Sequence, residues 1–144
     1  MQDLPHHYIV VASAAPQGEV KIDAAAVETI FSAAPAEFGG PGNRWSPESL
    51  LVASVADCFI LTFRAISRAS KLDWISLQCD ANGTLDKADG TTQFTRFDIR
   101  ATLEVSSGAS IDKARRILEK AEQNCLITNS LSAPTYLDAD VIIK

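Results

Sequence analysis

The chain has 144 residues, 47% of them apolar and 22% charged, with a formal net charge of −5. That length predicts one domain burying roughly two thirds of its unfolded surface, and the composition excludes disorder. The acidic balance, which no basic run offsets, argues against a nucleic-acid partner or an anionic membrane surface.

Met1 to His7 has neither a basic n-region nor an apolar h-region, so no signal peptide is expected. Tyr8–Ala12 is apolar and β-rich, Pro16-Gln17-Gly18 is turn chemistry, and Glu19–Ile22 alternates; together they predict a hairpin. Val27–Phe31 supplies a third short strand. Residues 33–46 hold Pro35, Gly39, Gly40, Pro41, Gly42 and Asn43, a loop by composition. Loops of that length inside compact domains tend to be functional.

Ser46-Pro47-Glu48 starts a helix: Ser as N-cap, Pro at the first helical position, an acid at the positive end of the dipole. The helix is predicted to run to about Lys71. Asp57, Arg64, Arg68 and Lys71 fall within about 60° of one another as a solvated stripe. Leu51, Val55, Phe59, Thr62 and Ile66 lie on the other side. Most of the remaining surface is apolar or small, which predicts that a second molecule covers part of this helix. The longest apolar run, Val55–Phe63, is broken by Asp57 and falls well short of the roughly 20 residues of a membrane span.

Trp74–Leu85 and Gln93–Val105 alternate around the turn residues Asp86–Gly90, predicting a long antiparallel hairpin. Ser110 caps a second helix in which Ile111, Ala114, Leu118, Ala121 and Cys125 repeat at 3, 4, 3 and 4. This places Cys125 on the buried face at the helix end. Thr128–Ser132 forms a short helix or turn, and Thr135–Ile143 a final strand. The order predicts an α+β fold with helices packed on antiparallel sheet.

The paired histidines His6 and His7 lack any acid or cysteine at ligand spacing and read as a solvated tail. Zinc, triad, dinucleotide and P-loop signatures are absent, and Gly39-Gly40-Pro41-Gly42 lacks the context of a phosphate cradle. Three cysteines remain, Cys58, Cys79 and Cys125, an odd set without C-x-x-C. Such a set points to a reduced, cytoplasmic protein rather than a secreted disulfide framework. Cys58 is about three turns into its helix, beyond much help from the dipole, so a reactive Cys58 needs a nearby cation. Cys79 alternates with Ile75, Leu77 and Ala81 and reads as core.

Ser46–Phe59, Ser-Pro-Glu-Ser-Leu-Leu-Val-Ala-Ser-Val-Ala-Asp-Cys-Phe, resembles the first-cysteine helix of the OsmC/Ohr family, the osmotically inducible and organic hydroperoxide resistance proteins. Glu48 stands ten positions before Cys58, as in that family, and Ala121–Cys125 resembles its second-cysteine segment. The resemblance implies antiparallel sheets wrapped around two central helices in an intertwined homodimer, with each active site at the interface. It implies a thiol peroxidase without metal or organic cofactor, acting on hydroperoxides and recycled by a dithiol reductant. Cys58 would be the peroxidatic thiol and Cys125 the resolving thiol. Two positions depart from the pattern. The family's activating arginine lies in the first-strand turn, where this chain has Pro16-Gln17-Gly18-Glu19; Arg44 is the nearest substitute and Glu48 lacks its obvious partner. Leu126 stands where a Pro commonly follows the second cysteine. Phe38, Trp45, Phe59 and Phe63 are candidate pocket walls, with core as the alternative for the last two. The missing turn arginine keeps open a small-ligand-binding protein of the same fold with little turnover. A redox sensor built on the same two thiols is the third reading.

Overall fold

A computed structural model describes residues 1–144, in six strands and three α-helices. The chain divides into two compact units, Met1–Leu50 and Leu51–Lys144.

In the first unit, β1 (Val11–Ser13), β2 (Val20–Asp23) and β3 (Ile30–Ser32) form an antiparallel sheet in the order β1-β2-β3. The predicted hairpin is present, but its strands are shorter than the β-rich runs that announced them. Tyr8–Val10 precede the paired residues, and Ala26 at φ 63° turns the chain before β3. The predicted loop at 33–46 is closed at its neck: Ser32 bridges Trp45, and the Ala33 amide donates to the Trp45 carbonyl at 3.0 Å. Inside it a single 3₁₀ turn, Ala36–Phe38, ends on left-handed Gly39, and the Gly40 amide returns to the Pro35 carbonyl at 3.0 Å. A Cβ at Gly40 would stand 1.7 Å from the Ala34 carbonyl oxygen, so this return is open only to glycine. Of the first unit's residues only Ser32 and Ser46 are buried.

α1 spans Pro47–Ala69. Ser46 caps it, its Oγ accepting from the Ser49 amide at 3.1 Å. The far end stops without a glycine. Lys71 adopts a left-handed φ of 54°, the Lys71 amide donates to the Arg68 carbonyl and the Leu72 amide to the Ser67 carbonyl, and Leu72 is buried behind the turn. This is a Schellman closure with a lysine in the position glycine usually takes.

In the second unit, β4 (Ser76–Ala88) and β5 (Thr91–Val105) form the predicted antiparallel hairpin. Its two-residue turn is Asp89-Gly90, both at positive φ (52° and 78°), the type I′ geometry that suits the strand twist. The final strand, β6 (Thr135–Ile143), has the predicted bounds but pairs with β5 in parallel, so the sheet β4-β5-β6 is mixed rather than antiparallel. Parallel neighbours require a crossover. Here it carries α2 (Ile111–Gln123) and the short α3 (Leu126–Asn129).

Alternation along β5 turns Phe97, Ile99, Ala101, Leu103 and Val105 to one face, where they form one core with Val55, Phe59 and Phe63 of α1 and Ala114, Ile117, Leu118 and Ala121 of α2. Fully burying one such phenylalanine contributes about 1.5–3 kcal/mol. Phe63 packs edge-on against Trp74 at 5.3 Å, and Trp74 Nε1 donates to the buried Ser67 hydroxyl at 3.1 Å. Where β4 passes α1 the side chain is reduced to a hydrogen: a Cβ on Gly83 would meet Val52 Cγ2 at 2.8 Å and Phe94 Cε1 at 2.9 Å. By length and composition α1 could cross a membrane. Its Val55-Phe59-Phe63-Ser67 stripe is instead packed in the core, and only that stripe is buried. The charged residues Asp57, Arg64, Arg68 and Lys71 are exposed, as their helical spacing predicted.

Candidate functional site: the thiol cluster

Cys58 lies near the middle of α1, rotated about 60° from Val55 at the flank of the buried stripe, and is half-buried. Its Sγ is 3.8 Å from Thr62 Oγ1, one turn further along. Cys125 is fully buried. It does not end α2, as the 3-4-3-4 repeat had suggested. Asn124 stops that helix, its amide and its Nδ2 both donating to the Lys120 carbonyl at 3.0 and 2.8 Å. Cys125 then takes an extended conformation as the N-cap of α3, and its carbonyl accepts from the Asn129 amide at 3.0 Å and the Thr128 hydroxyl at 3.1 Å. Leu126 occupies the first position of α3, where a proline is tolerated because the amide has no helical acceptor, and the turn forms without one.

The structure brings Cys58 and Cys125 together as neighbouring free thiols. Burial pushes the Cys125 thiol above its ordinary range; the Thr128 backbone and hydroxyl work in the opposite direction, and the hydrogen bond and charge of Cys58 add to the rise. The net effect holds the Cys125 thiol protonated.

Cys79 faces inward from β4, half-buried against the core, as its alternation indicated. Its thiol is pushed up to about 12, first by burial, then by the charges of Asp80 and Cys125. A thiol held protonated is a poor nucleophile. It also makes stability depend on pH. The unfolded thiol, at 9.0, loses its proton first, so the unfolded state binds fewer protons between pH 9.0 and about 12 and folding weakens as pH rises through that window. Urea midpoints measured on either side of pH 9 are expected to fall for the native chain and to stay flatter for Cys79→Ala.

The remaining candidates lie in the first unit or at the start of α1. Arg44 Nε donates to Glu19 Oε1 at 2.7 Å, and both side chains are partly exposed. Glu48 forms no ion pair, and its Oε2 is buried without a hydrogen-bond partner. It precedes Cys58 by ten residues of one helix, about 15 Å of axial rise, too far to touch that sulfur from the same helix. Phe59 and Phe63 are core, whereas Phe38 and Trp45 are 61% and 53% exposed. His6 and His7 are exposed, and no group of three or more His, Cys, Asp or Glu is placed to hold a metal ion. Sequence reasoning missed Thr62 as a neighbour of Cys58, although the i, i+4 spacing was there to be read, and Thr128 beside Cys125.

Residues 40–139 match the family model described as OsmC-like protein. The uncharacterized protein YmaD of Bacillus subtilis is 26% identical over 113 residues, covering 76% of this chain and 75% of its own. Among solved structures, an OsmC-like protein of unknown function from Vibrio cholerae superposes with a TM-score of 0.87 at 18% identity, over 94% of this chain and 100% of that one. An organic hydroperoxide resistance protein from Elizabethkingia anophelis superposes at 0.77 with 20% identity, over 99% and 100%. With a family model matching most of its length, the chain belongs to the OsmC/Ohr family.

Proposed function

We propose that this protein is a cysteine-based thiol peroxidase that reduces organic hydroperoxides in stress defence, working in the cytoplasm as a single functional domain. The observation that carries the proposal is the pair itself: a half-buried Cys58 beside a buried, proton-holding Cys125. The Cys58 thiolate attacks the O–O bond, the alkoxide leaves and takes up a proton as alcohol, and the sulfur becomes a sulfenic acid. Cys125 hands its proton to the sulfenic hydroxyl, which leaves as water while the freed Cys125 sulfur bonds to Cys58, and a Cys58–Cys125 disulfide remains. A dithiol reductant opens it by exchange, becoming a disulfide itself. Hydrogen peroxide would follow the same steps.

The active form in this proposal is a homodimer. No apolar residue of Met1–Leu50 is buried, and a three-stranded sheet without a buried apolar face is not stable alone. Tyr8, Ile9, Val10, Phe31 and Trp45, together with the uncovered sides of α1, are surface for a second copy. Glu48, whose buried Oε2 has no hydrogen-bond partner within one chain, would hold the activating arginine in place. Arg44 would supply the cation, its Nε steadied by Glu19 while its Nη groups stay free.

The test is intact-mass spectrometry of the reduced protein before and after one equivalent of cumene hydroperoxide, followed by peptide mapping. The expected result is a loss of about 2 Da, a Cys58–Cys125 peptide and a free Cys79. Three free thiols after treatment would overturn the proposal in favour of a ligand-binding protein of the same fold, the reading supported by the absence of arginine between Pro16 and Glu19.

A further inference from the structure

Cys58 and Thr62 stand one turn apart on the same flank of α1, and Thr62 Oγ1 is 3.8 Å from Cys58 Sγ, within reach of a hydrogen bond to the large sulfur atom. Other hydroxyls inside that helix behave differently. Ser54 Oγ donates to the Leu51 carbonyl at 2.6 Å and Ser67 Oγ to the Arg64 carbonyl at 3.1 Å. That bond back to the preceding turn is the usual fate of a hydroxyl in a helix interior. Thr62 makes no such bond; the sulfur is its side chain's one partner.

We propose that Thr62 is a catalytic residue whose hydroxyl donates to the Cys58 thiolate, holding it ionised and aimed at its substrate. An ionised sulfur has no proton to give, so in that state the hydroxyl must be the donor. A hydrogen bond to a charged acceptor is about twice as strong as a neutral one, and half-burial of the site preserves that strength. Thr62 thereby supplies from the cysteine's own helix part of the stabilisation that no arginine provides from the first-strand turn. The part Thr62 plays in turnover rests on the peroxidase reading; its effect on the sulfur does not.

The experiment measures alkylation of Cys58 by iodoacetamide, followed peptide by peptide in the full-length chain. Thr62→Val keeps the shape and removes the donor, and Thr62→Ser keeps the donor. At pH 7 the valine variant is expected to react about tenfold more slowly, as losing a hydrogen bond to a charged group implies. The serine variant should stay within about twofold of the native rate, and near pH 10.5 all three should converge because the thiol ionises there unaided. Equal rates at pH 7, or a valine deficit that persists at the alkaline end, would overturn the assignment, since a packing defect is not repaired by pH. If the valine variant does not fold, Thr62→Ala is read in the same way. Peroxide consumption, measured in parallel, separates the two proposals. Slower alkylation of the valine variant, combined with no peroxide consumption by the native protein, sinks the peroxidase reading and leaves the role of Thr62 intact.

Discussion

Cys58→Ser is expected to lower the rate of organic hydroperoxide consumption by roughly a thousandfold or more, to the background of the buffer, as loss of a nucleophile does elsewhere. The substitution changes little else. Serine fills almost the same volume on a half-buried flank of α1, away from the fully buried Val55-Phe59-Phe63 stripe, so the fold should persist. The chemistry changes completely: the reacting species is a thiolate, and a serine hydroxyl is neither ionised near neutral pH nor able to accept oxygen as a sulfenic acid. Peroxide consumption by purified protein with a dithiol reductant decides the matter. Undiminished turnover would show that the thiol cluster is not the reacting centre. The companion change, Cys125→Ser, should separate the two halves of the cycle: one equivalent of peroxide still oxidises Cys58, and dimedone then traps the sulfenic acid there.

The second large effect is on stability. Cys58 and Cys125 lie 67 positions apart, one in α1 and the other in the crossover between parallel strands. Joining them closes a long loop in the unfolded chain, and the chain-entropy model assigns about 4 kcal/mol to a loop of that size. For a domain of this length that corresponds to an increase of about 10 °C or more in Tm. Differential scanning calorimetry of the peroxide-treated and reduced protein should show the rise in the native chain and none in Cys125→Ser. An oxidised form that melts lower than the reduced one would mean that the helix and the crossover must be pulled from their resting positions to meet. The disulfide would then be strained and easily reduced.

Local signals made much of this architecture legible before any coordinates. Ser46-Pro47 starts α1 and Asp89-Gly90 sits inside the turn region expected of a hairpin, because caps and tight turns depend on residues within a few positions of one another. What the sequence concealed depends on distant partners. β6 alternates in the same way whether its neighbour runs parallel or antiparallel, so only the structure reveals the mixed sheet. The apolar repeat of α2 continues through Asn124 into Cys125, which predicted the burial of that cysteine and misplaced its element, since the repeat does not register a helix stop made by a side chain. Likewise the closure at Lys71 has no glycine to announce it. At the candidate site the two motif cysteines were legible, whereas the Arg44–Glu19 pair joins residues 25 apart through folding alone.

The parallel docking of β6 also bears on when the thiol cluster comes into being. The β4–β5 hairpin pairs residues close in sequence around a favourable turn and can form within microseconds. The β5–β6 pairing must wait until the whole crossover has closed, because its loop entropy is spent before its contacts are made. Cys125 travels in that late segment, whereas Cys58 rides on a helix defined by its own caps. The two sulfurs therefore become neighbours only as the fold is completed, and the thiol pair belongs to the finished protein.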